Sequence, residues 1–243
     1  MPYPKAILFD LDDTIITEGD RATIVLETAE EFAEAFSPHN AIDVADHIEA
    51  ALNDFWALSP VGRSMRLGSE QWSIRQSREK VISDTLRTIG VNGSSDLTIR
   101  FCDRFERLRS LAGREYPGAR TTIETLKRVG VKLALVTNGP ADYQRAKIER
   151  FSLAPLFDHI QIEGEHGFGK PDEKAYLHAM SALGVSPHET WMVGDNLEWE
   201  VVAPQRLGIY AVWHDHRGTG LPSNSVVRPD KIVRQLSELL MQI

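Results

Sequence analysis

In KAILFDLDDTIIT, residues 5 to 17, an apolar run from Lys5 to Phe9 reads as a short buried strand and ends in Asp10, Asp12 and Asp13. Like charges this close oppose one another's ionisation, so a plain turn gains little from such a cluster. An ionised carboxylate, by contrast, is a nucleophile that needs no base to activate it at neutral pH. Other polar groups stand after three later apolar runs. Thr137, Asn138 and Gly139 follow VKLALV, Lys170 lies in the loop EHGFGKPD after HIQIEG, and Gly194 and Asp195 follow TWMV. Acids, a hydroxyl with an amide, a lysine and a further acid are groups that bind a hard cation and an anion.

Such residues work together only if the backbone brings the run ends to one place. From EYPGAR onward, helical stretches alternate with short apolar runs, the pattern of βαβ units and a parallel sheet. The run AILF completes that sheet, and ligands of such sheets collect at the carboxyl ends of the strands. Between Thr17 and Gly113 the rhythm is different. Val25, Ala29, Phe32 and Phe36 step at helical intervals, as do Ala41 to Phe55, Ile74 to Ile89 and Leu97 to Leu108. The expectation is an α/β fold with a core made of residues 1–16 and 114–243, and an all-helical unit, 17–113, inserted after the first strand.

FDLDDTI, VTNG, GKPD and GDNLEWE, in this order and each at a strand end, resemble the four motifs of the haloacid dehalogenase superfamily of phosphohydrolases. The resemblance spans the whole core and implies a Rossmann-like, doubly wound sheet, Mg²⁺ dependence, and a helical cap where the inserted unit lies. It makes Asp10 the nucleophile that forms an aspartyl-phosphate, and Asp12 the acid that protonates the leaving alkoxide and then deprotonates the hydrolytic water. It assigns Mg²⁺ to the Asp10 and Asp195 carboxylates and the Asp12 main-chain carbonyl. Thr137, the amides near Asn138 and Gly139, and Lys170 hold the phosphoryl oxygens. Where the family often has Asp at the end of the fourth motif this chain has Glu200, with Glu198 two residues earlier; either could orient a metal-bound water. The acid at position 12 favours an oxygen leaving group over a halide, hence a phosphatase. A phosphomutase with the same motifs is the rival enzyme. A catalytically silent or receiver-like phospho-binding protein is the rival from another class.

Bulk properties narrow the partners. The chain has 243 residues and a net charge of −8, so it gains no counterion-release attraction to nucleic acid or anionic membrane. One cysteine excludes an internal disulfide, and MPYPKAILFD has no apolar stretch of signal-peptide length, which predicts a cytoplasmic protein. The expected partner is a small phosphorylated metabolite; oligomeric state is left open. In the inserted unit Arg75 and Arg78 share a helix face near Trp72, a patch suited to an anionic or aromatic part of the substrate, with solvated ion pairs as the plainer reading. Asp13 is expected to serve its own turn, and His214 and His216 of WHDH to lie in a solvated loop.

Overall fold

Apolar runs four to six residues long, bounded by helices, can pack on both faces, which is what a parallel sheet requires of its strands. The structure, a computed structural model, describes residues 3–58, 62, 66, 74–91, 94–223 and 225–240. The chain separates into two units, Met1–Thr17 with Arg114–Ile243, and Glu18–Gly113.

The first unit contains β1 (Ala6–Phe9), β2 (Ile16–Thr17), β3 (Arg114–Glu115), β4 (Lys132–Thr137), β5 (His159–Ile162), β6 (Thr190–Gly194), β7 (Tyr210–His214) and β8 (Lys231–Val233). Six of them form one parallel sheet in the order β5-β4-β1-β6-β7-β8. Renumbered by occurrence this is 3-2-1-4-5-6, the doubly wound Rossmann order, whose direction reverses between β1 and β6. Phe9 is in register with Leu135 on one side and Val193 on the other, so the residues after β1 and β6 emerge at the same level. Ile7 and Phe9 pack with Ile123, Leu126 and Ile148 of helices Ala119–Arg128 and Ala141–Arg150. Ala6 and Leu8, one residue out of phase, pack with Tyr176, Ala179 and Met180 of helix Glu173–Leu183 on the opposite face.

Three features depart from the pattern read in the sequence. β8 is a three-residue strand with no periodicity long enough to detect. β2 and β3 pair antiparallel over two residues each, Ile16 opposite Glu115 and Thr17 opposite Arg114. The segment LEWEVVAPQR is not one regular helix: Leu197–Val202 winds as a wide π-helical turn before the short helix Ala203–Arg206. Pro204, which offers no amide hydrogen, interrupts a continuous ladder at that point.

The second unit is helical among the described residues, with helices Arg21–Glu31, Ala41–Ala57, Ile74–Thr88 and Ser95–Ala112. Side chains of Asp20, Asn40 and Ser94 cap three of them by accepting from Thr23, Asp43 and Leu97 amides at 2.9, 2.8 and 3.1 Å. Val25, Phe36, Ile48, Phe55, Ile82 and Phe101 belong to its apolar core. The first helical run breaks at Phe32, and Ala33–Phe36 continues as a 3₁₀ turn.

Candidate active site

β1 ends against β6 with the Asp10 amide donating to the Val193 carbonyl at 2.9 Å, which places the first acid at the reversal point of the sheet. Three residues on, Asp13 takes a left-handed conformation (φ 54°) and its amide donates to Ile16 O at 2.7 Å. An aspartate tolerates that region better than most residues. The turn therefore separates acids that are neighbours in sequence.

Asp10 is buried. Its Oδ1 lies 2.5 Å from Lys170 Nζ, and Thr14 Oγ1 donates to its Oδ2 at 3.3 Å. Lys170 Nζ also meets Glu200 Oε1 at 2.7 Å, and both side chains are almost fully enclosed. Burial raises the Asp10 carboxyl above its usual range, and the Lys170 ammonium works against that rise. Burial likewise lifts Glu200 to about 7, again opposed by Lys170. Burial disfavours the Lys170 ammonium, but Asp10 and Glu200 outweigh it and hold its pKa above the ordinary lysine range. A Cβ at position 194 would collide with Glu200 Cγ and come within 3.0 Å of Asp10 Cβ, so only glycine allows this approach.

The loop after β4 positions the lysine. Asn138 Nδ2 donates to Lys170 O at 2.6 Å, and Lys170 N donates to Asn138 Oδ1 at 2.9 Å. The Asn138 side chain thus locks backbone to backbone. The Gly139 amide, expected to face an anion, donates here to Glu163 Oε2 at 2.8 Å. Glu163 opens a helical turn, Glu163–His166, where an extended segment was expected. Thr137 Oγ1 accepts from Gln144 Nε2 at 2.5 Å.

Asp12 has other partners. Its carboxylate receives Lys147 Nζ at 2.6 and 2.8 Å and Gln144 Nε2 at 2.9 Å. Neither partner is legible as a site residue in ADYQRAKIER, because a mostly polar helix gives no sign of which polar side chains turn inward. Of the two glutamates after β6, Glu200 lies inside the site, while Glu198 is partly exposed and meets Arg206 at 3.3 Å.

The histidines of WHDH do not lie in a solvated loop. His214 is buried at the end of β7 and its Nδ1 shares a hydrogen bond with Asp13 O at 3.1 Å; His216 Nδ1 shares one with Tyr116 Oη at 2.7 Å. One ligand atom each from Asp13, Asp195 and His216 fall within 4.8 Å of one another. Asp195 is held by its carbonyl, which accepts from Trp213 Nε1 at 2.6 Å. Its carboxyl is raised well above the usual range, first by burial and then by the Glu200, Asp10 and Asp13 carboxylates, with Lys170 opposing.

This donor set fits a divalent cation. Carboxylates of Asp10 and Glu200 flank the Lys170 ammonium, those of Asp13 and Asp195 come together with His216, and hard oxygen donors with excess negative charge suit Mg²⁺. The substrate-facing residues expected in the inserted unit lie in different surroundings. Arg75 meets Glu79 at 2.8 Å and Asp103 at 2.6 Å, and Arg78 meets Glu106 at 2.5 Å, all within that unit. Trp72 lies outside the described residues.

Residues 4–208 match the family model for haloacid dehalogenase-like hydrolases. The chain is 33% identical to the phosphoserine phosphatase of Thermus thermophilus, over 99% of this chain and 92% of that one. It is 28% identical to the glyceraldehyde 3-phosphate phosphatase of Methanopyrus kandleri, over 86% and 82% of the two chains. Its fold is similar to that of the HAD-hydrolase YfnB of Bacillus subtilis bound to magnesium, with a TM-score of 0.73, 21% identity and full coverage of both chains. With a Rossmann-ordered sheet, acids and a lysine at its reversal point, and phosphatases among its relatives, the chain belongs to the haloacid dehalogenase-like hydrolase family.

Proposed function

We propose that the chain is a Mg²⁺-dependent phosphatase of small phosphorylated metabolites that works through an aspartyl-phosphate. The observation that carries this reading is Asp10 at the end of β1, buried beside the one ammonium of Lys170 and among further carboxylates. Phosphate monoesters resist attack because their oxygens are already negative, so the site must position and neutralise. Asp10 attacks the phosphorus, its oxygen forming the new bond as the ester oxygen leaves. Asp12 gives that oxygen a proton, then takes one from the water that cleaves the acyl phosphate. Such proton transfer is worth about 10²–10⁴-fold.

Lys170 opposes the pull of burial on Asp10 and, with Thr137, faces the phosphoryl oxygens. Asp10 and Asp195 through carboxylates and Asp12 through its carbonyl would hold Mg²⁺, which neutralises phosphoryl charge when bound. Glu200, which accepts from Asn196 N at 2.8 Å, braces the metal side of the site. The helical unit, 18–113, is read as the cap that selects the substrate. Arg75, with 47% of its side chain exposed, is better placed than buried Arg78 to meet one. The relatives named above act on phosphoserine and glyceraldehyde 3-phosphate, and a compound of that size and charge is the proposed substrate class. A reducing, cytoplasmic setting is part of this reading, in line with a single, buried cysteine, Cys102.

Release of inorganic phosphate from a panel of monoesters, with and without Mg²⁺, tests the reading. Wild type is expected to turn over at least one small ester. Asp10→Asn is expected to fall by at least about 10³-fold while keeping its circular dichroism spectrum. Wild-type-like turnover in that variant would remove Asp10 as nucleophile. Return of phosphate to the substrate instead of to water would indicate a mutase.

A further inference from the structure

We propose that Lys147 and Gln144 are positioning residues that aim the carboxylate of Asp12 for proton transfer to the leaving group; this rests on the phosphatase reading above. They lie one turn apart on helix Ala141–Arg150, and both are buried although one is charged and the other polar. Burying such groups costs free energy unless each finds partners. The partners they find are those of the site. Lys147 Nζ reaches both Asp12 oxygens, at 2.6 and 2.8 Å, while its ammonium sits 4.4 Å from the centre of the Tyr143 ring. Gln144 Nε2 faces Asp12 Oδ2 at 2.9 Å, Thr137 Oγ1 at 2.5 Å and Asn138 O at 2.8 Å.

One amide thus joins the acid after β1 to the hydroxyl at the end of β4. The ammonium beside it fixes which way that acid's carboxyl plane turns. Lys170 cannot do this, because Asp10 and Glu200 engage it. The Asp12 side chain is 40% exposed, and the clamp restricts the rotamers open to it. A misplacement of about 1 Å can cost about 10²-fold in rate.

The test compares two leaving groups. p-Nitrophenolate departs without a proton, whereas an alkoxide needs one. For Lys147→Met, kcat/KM is expected to fall about 100-fold on the best alkyl phosphate of the panel, and by no more than about threefold on p-nitrophenyl phosphate. Lys147→Arg should recover most of the alkyl activity. Lys147→Met added to Asp12→Asn should cost nothing further, since the aimed group is already lost. If Lys147→Met fails to fold by circular dichroism, Lys147→Gln takes its place, with about a tenfold loss confined to the alkyl ester. Equal losses on both esters, or additive losses in the double variant, overturn the clamp while leaving the phosphatase reading intact. A wild type inactive on both esters overturns the phosphatase reading and the clamp with it.

Discussion

Arg104 of the helical unit meets Glu31 at 2.5 Å, and Lys170 of the sheet unit meets Asp10 at the same distance. The first pair keeps 30% and 42% of its side-chain surface, the second 1% and 11%. Water screens the first, and its loss matters little to the fold; the second has only protein around it. Arg21 with Glu49, Arg75 with Glu79 and Lys80 with Asp84 resemble the first kind. Asp10, Lys170 and Glu200 form a set of the second kind. Contact distance therefore does not separate these two pairs, and burial does.

The sharpest way to break this contrast is to remove one cation from each unit. Lys170→Ala leaves Asp10 and Glu200 buried without their ammonium, and metal-free stability is expected to drop by about 3–5 kcal/mol in urea titration. A loss near that of a surface pair would erase the distinction.

A smaller effect tests the charge balance itself. Glu200 titrates near 7 in the folded protein against about 4.5 when free, and Asp10 and Asp195 are shifted in the same direction. The folded state then holds protons that the unfolded state has released, so metal-free stability should fall as pH rises from about 4.5 to about 7. The raised pKa of Lys170 adds no slope there, because it is protonated in both states. Burial holds His159, His214 and His216 below the usual imidazole range, which acts in the opposite direction over part of that window. The carboxyl contribution is therefore read in thermal melts as the difference between wild type and Glu200→Gln. Mg²⁺ should shrink that difference, and an identical pH dependence in the two proteins would contradict the assignment. Smallest of all, Arg75→Ala is expected to change stability by no more than about 0.5 kcal/mol in the same urea assay.

Much of this contrast is present in the sequence, though unevenly. Uninterrupted apolar runs marked β1, β4 and β6, because a strand buried on both faces has no other way to be written. The polar residues just beyond those runs, Asp10, Thr137 and Asp195, could be picked out for the same reason. Lys147 and Gln144 could not, since their helix is polar on several sides and only the packed fold shows which residues it turns inward. His214 and His216 were obscured by the charged residues around them, and β8 by its length of three residues. The choice between Glu198 and Glu200 depended on a wide turn that no periodicity announces.

The reciprocal pair between Asn138 and the backbone of Lys170 has one more consequence. Both bonds end on main-chain atoms at position 170, so the anchor is indifferent to which side chain that residue carries. The loop's placement is thereby set apart from its charge: removing the ammonium costs stability through the stranded Asp10 and Glu200, while the main-chain anchor that places residue 170 stays intact.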